Sequence, residues 1–246
     1  MKLYRPRILF VCFFIFVFLI STLNIIKIYS DYKTADNVNE NMQDRFVQAI
    51  KIESEPPDEE VKIQAPICID FDALIQENND VIGWIYCPNT PINYPVLKGE
   101  DNNKYLRTDL KGNYLVSGSI FADYRNGEIG QYRNYIVYGH NMKNSTMFGT
   151  LVKYKDQTYY DSHPILYFLT PDANYIIELC AGAVVKRDSD IYQTAPTDNT
   201  IADIMAKSTF TSAIEIGNGE NIITLSTCSY EFNHARYVVV GKLKKI

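Results

Sequence analysis

The 246-residue sequence predicts a mainly β fold, a closed eight-stranded β-barrel with helical insertions, preceded by N-terminal helices and one transmembrane helix. Three observations predict it. About eight runs rich in β-branched and aromatic residues fall between 81 and 243, bounded by Gly, Pro, Asn or Asp. Only two stretches of helical periodicity interrupt them, so the order is not the regular alternation of a parallel α/β sheet. Ahead of all these, residues 8–26 carry no charge. A content of 46% apolar residues and 13% aromatics, with 19 tyrosines, belongs to a globular chain with one sizeable core.

In chain order the uncharged segment comes first. Its residues at helical rise span about 28 Å, close to the ~30 Å hydrocarbon thickness of a bilayer. Lys2, Arg5 and Arg7 precede it, which under the positive-inside rule keeps the N-terminus in the cytoplasm and puts the remaining chain outside. A cleaved signal peptide shares the basic start. The apolar run is longer than a usual signal core, however, and 21–29 offers no A-x-A-like site, which favours an uncleaved anchor. Four of the 24 basic residues and none of the 29 acids precede Asp31, so the remainder holds 20 against 29, a charge of −9. That excess argues against nucleic acid as a partner.

Val38, Met42, Phe46 and Ile50 recur every fourth residue, the pattern of one helical face. Such a helix either stands as a solvated stalk or packs on the body behind it. Residues 53–60, with Pro56, Pro57 and five acids, read as a linker or loop. Asp70 caps a short helix whose Phe71, Leu74 and Ile75 face inward, ending near Asn78. Strands are predicted over 81–86, 92–97, 114–121, 135–138, 165–169, 175–185, 222–225 and 237–243. Helices are predicted over 146–154 and, behind an Asp198 cap, over 198–207. Of five cysteines, Cys12 lies in the apolar segment and Cys68, Cys87, Cys180 and Cys228 lie beyond it. Their spacing is not that of a dense disulfide framework, and no C-x-x-C or H-x-x-x-H occurs to suggest a structural zinc site.

The strongest chemical signal is the run from Asn221 to Cys228. Ile222, Ile223, Thr224 and Leu225 read as a buried strand, and Ser226 and Thr227 then turn polar, so Cys228 sits where the strand leaves the core. Arg236 opens the next apolar run, Tyr237-Val238-Val239-Val240, and a hairpin of the two puts Cys228 and Arg236 at the same end. A nearby positive charge favours a thiolate and can hold a developing oxyanion. A cysteine near a strand end is more often packing than catalysis, so the weight falls on the pattern around it.

Thr224-Leu225-Ser226-Thr227-Cys228, followed by Arg236, resembles the TLxTC…R signature of the sortases, the cysteine transpeptidases that fix proteins to the Gram-positive cell wall. Asn134-Tyr135-Ile136-Val137-Tyr138-Gly139-His140-Asn141-Met142, with Met147-Phe148-Gly149 after it, resembles the class B segment that presents the catalytic histidine at a strand end. Gly83-Trp84-Ile85, Ile92-Asn93-Tyr94-Pro95-Val96, Asp101-Asn102, Tyr105-Leu106 and Gly118-Ser119-Ile120-Phe121 are similar to the same class in order and spacing. The likeness covers about 71–243. With it, 1–28 becomes a cytoplasmic tip and anchor, 29–69 an extracellular helical stalk and linker, and 70–246 the catalytic barrel.

The resemblance implies that Cys228 attacks the threonine carbonyl of a C-terminal sorting signal, of the N-P-x-T-x type, on a secreted protein and forms a thioacyl intermediate. His140 gives a proton to the departing amine, and an amine of a peptidoglycan precursor then takes the acyl group. Arg236, with a backbone N–H near Cys228, would stabilise the oxyanion. By the family pattern Asn93, Leu97, Tyr138 and Ser226 line the groove, although Leu97 and Tyr138 are equally readable as core. Residues 186–212 match in position the loop that walls the groove in class B enzymes.

The residues alone leave choices open. His163, between Ser162 and Pro164, reads as a turn residue. His234, six residues from Cys228, could also reach it. Glu231 is the first carboxylate after the nucleophile and could orient the imidazole, as a third group does in papain-like enzymes. No cofactor or metal is expected, and activity should survive excess chelator. The same residues would serve an extracellular cysteine peptidase that only hydrolyses; an inert Cys228 would leave a tethered β-barrel adhesin or scaffold.

Overall fold

The computed structural model describes residues 4–50 and 64–246, and the predicted linker over 53–60 lies outside them. A single helix, α1 (Tyr4–Phe46), runs through both the uncharged segment and the predicted stalk. Separate N-terminal helices were the expectation. No Pro or Gly falls between Arg7 and Phe46, so nothing in the sequence interrupts the helix. Phe10, Phe14, Phe18 and Ile25 on its first part are exposed, whereas Met42 and Phe46 at its far end are buried against Leu74, Trp84 and Leu97. The stalk face therefore packs on the body rather than standing in solvent. Ile50 lies past the helix end and is exposed.

Strand β1 (Val47–Ala49) pairs antiparallel with β2 (Ile67–Ile69). Helix α2 (Phe71–Glu77) starts where the Asp70 carboxylate accepts the Ala73 N–H at 3.0 Å, the predicted cap. The barrel follows, from β3 (Val81–Tyr86), β4 (Asn93–Leu97), β5 (Ile120–Ala122), β6 (Asn134–Tyr138), β7 (Ile165–Leu169), β8 (Asn174–Lys186), β9 (Ile222–Cys228) and β10 (Ala235–Lys245). They close in the order β10-β8-β7-β3-β4-β5-β6-β9, the eight-stranded barrel expected. The β4–β5 and β6–β9 pairs are parallel and the others antiparallel.

Three predicted elements are altered. The strand over 114–121 shrinks to β5, because Leu115 and Ser119 donate their N–H groups to Arg107 and Tyr105, folding this stretch on its own neighbours. Gly118 turns the chain there at φ +56°, where a Cβ would lie 2.4 Å from the Leu106 carbonyl oxygen. The helix over 146–154 is instead a 3₁₀ segment, Gly149–Lys155, followed by α3 (Gln157–Ser162) behind an Asp156 cap. Helix α4 (Asp198–Ala206) is capped by Thr197, not Asp198; the Thr197 hydroxyl accepts the Thr200 N–H, and Asp198 pairs with Arg133 at 2.6 Å.

Alternation along each strand sorts the side chains. Ile85, Tyr94, Val96, Val137, Ile223, Leu225 and Val239 fill the barrel. Trp84 and Leu97 belong to the cluster under α1 and α2, and Ala181, Val238 and Val240 pack with Ile201 and Ile204 of α4. The ends of β6, β9 and β10 bearing Tyr138, Cys228 and Arg236 are left with a cleft on their outer side.

Candidate active site

In the parallel β6–β9 pair Tyr138 is the partner of Ser226. The Gly139 N–H extends the pairing by donating to the Ser226 carbonyl at 3.1 Å, and the Thr227 hydroxyl donates to the Gly139 carbonyl at 2.9 Å. Asn141 Nδ2 then donates to the Cys228 carbonyl at 2.8 Å, so the chain around His140 is bonded to the end of β9. Across the other edge Arg236 is the antiparallel partner of Cys228. Cys228, His140 and Arg236 all line one open cleft of about 480 Å³, each half-buried. Gly139 makes this approach sterically feasible. A Cβ there would sit 2.5 Å from Ile120 Cδ1 and 2.7 Å from Phe148 Cγ, so a larger residue would push His140 out of register.

His140 Nε2 lies 2.8 Å from the Leu106 carbonyl, which can only accept, so Nε2 carries the hydrogen and Nδ1 is the free nitrogen of the neutral ring. Burial holds the ring below its ordinary pKa; the Leu106 carbonyl opposes this, while the positive charges of Arg107 and Arg236 add to the lowering. An NMR titration of His140 should therefore give a midpoint below 6.5, and a midpoint above it would contradict the environment described. Because the folded ring releases its proton more readily than the unfolded one, the site disfavours folding increasingly as pH falls below about 6.5, until the folded midpoint is passed. Arg236 donates through Nη1 to the Ala235 carbonyl at 3.0 Å and forms no ion pair among the described residues. Its charge is thus available to an anion formed at Cys228. The Ser229 N–H is spent on the Ala235 carbonyl at 3.0 Å, so it is not a free oxyanion donor in this conformation.

The family model for the Sortase domain matches residues 85–244. Sortase B of Listeria monocytogenes serovar 1/2a is 35% identical over 175 residues, covering 68% of this chain and 70% of that protein. The chain belongs to the class B sortases. Two solved structures agree with the sortase architecture of the barrel. A Staphylococcus aureus sortase B–substrate complex matches with a TM-score of 0.68 at 32% identity, over 72% of this chain and 85% of that one. A crystal structure of sortase B from B. anthracis matches with a TM-score of 0.71 at 32% identity, over 89% of this chain and 100% of that one. The family is one of cysteine transpeptidases, and α1 adds a helix long and apolar enough to cross a membrane.

Within this sortase the other sequence candidates separate cleanly. Tyr138 and Ser226 line the cleft beside Cys228. Asn93 and Leu97 do not, and the expectation for them is corrected. Leu97 is fully buried in the cluster with Trp84, and Asn93 Oδ1 accepts the Trp84 indole N–H at 2.7 Å. The residues that do line the cleft are Asn102 and Leu106, the same two types at the same spacing nine positions on. The segment 187–193 supplies the facing wall, inside the loop anticipated over 186–212, whereas α4 in that loop packs on β8. Arg125 and Tyr192, which carried no sequence signal, also face the cleft.

Neither competing histidine lines the cleft. His163 stacks on Tyr159 at 4.4 Å and hydrogen-bonds through Nδ1 to its carbonyl at 3.0 Å. His234 is exposed in the β9–β10 turn at φ +61°. His234→Ala should leave turnover little changed in steady-state kinetics, and a collapse of rate would reassign the acid and base. Glu231 forms an ion pair with Lys155 and accepts from the Ser229 hydroxyl. Burial alone would raise its pKa, but these partners outweigh it and hold the carboxyl down to about 2. That carboxylate is committed away from His140.

Proposed function

We propose that the first part of α1 anchors this sortase in the cell membrane as a single pass, with the N-terminus cytoplasmic and the barrel outside. There it cleaves an N-P-x-T-x type sorting signal after threonine and transfers the protein to an amine of a cell-wall peptide. The observation that carries this reading is the meeting of Cys228, His140 and Arg236 in one open cleft, on three adjacent chain segments tied by backbone and side-chain hydrogen bonds. Lys2, Arg5 and Arg7 ahead of the apolar segment support the orientation.

The residues suit acyl transfer in two halves. The Cys228 thiol gives its proton to His140 Nδ1, and the sulfur adds to the threonine carbonyl. The oxyanion is held by the Arg236 guanidinium, which forms no ion pair among the described residues. The tetrahedral species collapses as His140 returns the proton to the leaving amine, so the C–N bond breaks and a thioester remains. An acceptor amine then adds to the thioester, His140 takes its proton, and the thiolate departs. No step requires a metal.

Incubating the full chain in detergent with a quenched sorting peptide, with and without triglycine, tests the reading. An amine-linked product is expected, whereas hydrolysis alone at saturating triglycine would make the enzyme a peptidase. Arg236→Lys keeps the charge but loses the planar fork. It should lower kcat by about 10²-fold, the scale of losing one oxyanion donor. A change below about threefold in steady-state assay would remove Arg236 from that role.

A further inference from the structure

Asp123, in the turn after β5, is fully buried and does not itself line the cleft, yet three cleft residues hang from its carboxylate. Arg125 grips it in a fork, Nε to Oδ1 and Nη2 to Oδ2, both at 2.7 Å. The Tyr138 hydroxyl donates to Oδ2 at 2.8 Å, and Asn102 Nδ2 to the same oxygen at 3.1 Å. Arg125 Nη2 also donates to the Tyr192 carbonyl at 3.0 Å, across the cleft in the 187–193 wall. The Tyr192 ring stacks on Tyr138 at 6.1 Å, and its hydroxyl meets the Ser226 hydroxyl at 2.8 Å, two residues before Cys228. One buried charge thus ties the strand floor, the Asn102 segment and the facing wall together.

We propose that Asp123 is the positioning residue of the cleft, acting through Arg125, Tyr138 and Asn102 to hold the 187–193 wall at the distance that grips an extended acyl-donor peptide. Its carboxylate touches neither substrate nor the reacting atoms. A buried carboxylate is costly unless fully bonded, and here both oxygens are bonded and a guanidinium balances the charge. The network sits beside Cys228, His140 and Arg236 without including them, so its effect falls on peptide binding rather than on bond making. The substrate part of this proposal rests on the function proposed above; the wall part does not.

Hydrogen–deuterium exchange on the full chain in detergent micelles separates the two. Asp123→Asn keeps the shape and removes the charge. It should raise exchange in 187–193 by about tenfold or more while the barrel strands keep their protection, the scale expected when a charge-assisted bond is lost. In kinetics it should raise KM for the sorting peptide by about tenfold and leave kcat within about threefold. If this variant fails to fold, Arg125→Lys decides, since lysine keeps the charge but cannot fork across Asp123 while reaching Tyr192. Unchanged exchange in 187–193, or a uniform rise over the whole barrel, overturns the positioning role. Loosened exchange with a fall in kcat and no change in KM overturns the link to substrate grip. Failure of the unaltered chain to turn over any sorting peptide overturns the proposed function, and the exchange result still decides what Asp123 holds.

Discussion

Cys228→Ala should abolish turnover of a sorting peptide, by about 10⁴-fold or more, because no other group in the cleft can form the thioester. The fold should hardly respond. Cys228 is half-buried at the last position of β9, and among the described residues its thiol makes no hydrogen bond, so alanine removes one partly exposed sulfur. A stability loss within about 1 kcal/mol is the scale for such a site. Thermal unfolding measured beside steady-state kinetics would separate the two quantities. Residual activity within about tenfold of the unaltered chain would contradict the nucleophile assignment.

The second large effect is expected at His140. His140→Ala should lower kcat by about 10²–10⁴-fold, the range for losing a positioned acid and base. Neither remaining histidine can replace it from its observed place, since His163 is stacked on Tyr159 and His234 stands exposed on the hairpin turn. The loss also removes the 2.8 Å bond to the Leu106 carbonyl, so part of the effect could be confused with movement of the Leu106 segment. His140→Gln retains a donor able to reach that carbonyl and should be nearly as inactive as the alanine variant. Recovery of rate in the glutamine variant would mean that His140 acts by holding Leu106 rather than by moving protons.

Much of this could be read from residue types and spacing because the physics is local. The strands β3 and β7 begin and end where the apolar runs do, and the pairing of Cys228 with Arg236 follows from the length of their hairpin. Period-two alternation on β9 is enough to send Ile223 and Leu225 inward and Ser226 and Cys228 outward. Other features depend on contacts far apart in the chain. The Asn and Leu pair at 93 and 97 cannot be told from the pair at 102 and 106 by type or spacing; burial under α1 and α2 decides between them. Asp123 carried no sequence signal, and only the return of Tyr138, Asn102 and Arg125 to one carboxylate reveals its place. Glu231 looks available in sequence and is taken up by Lys155, 76 residues away.

The measurement that bears most directly on the proposed chemistry is an intact-mass spectrum of the full chain, quenched in acid shortly after mixing with sorting peptide in the absence of amine. The expected result is a covalent adduct equal in mass to the peptide cut after threonine, mapped by digestion to Cys228 and discharged to ligated product when triglycine is added. An unmodified chain despite peptide cleavage, or an adduct on Cys68, Cys87 or Cys180, would contradict it.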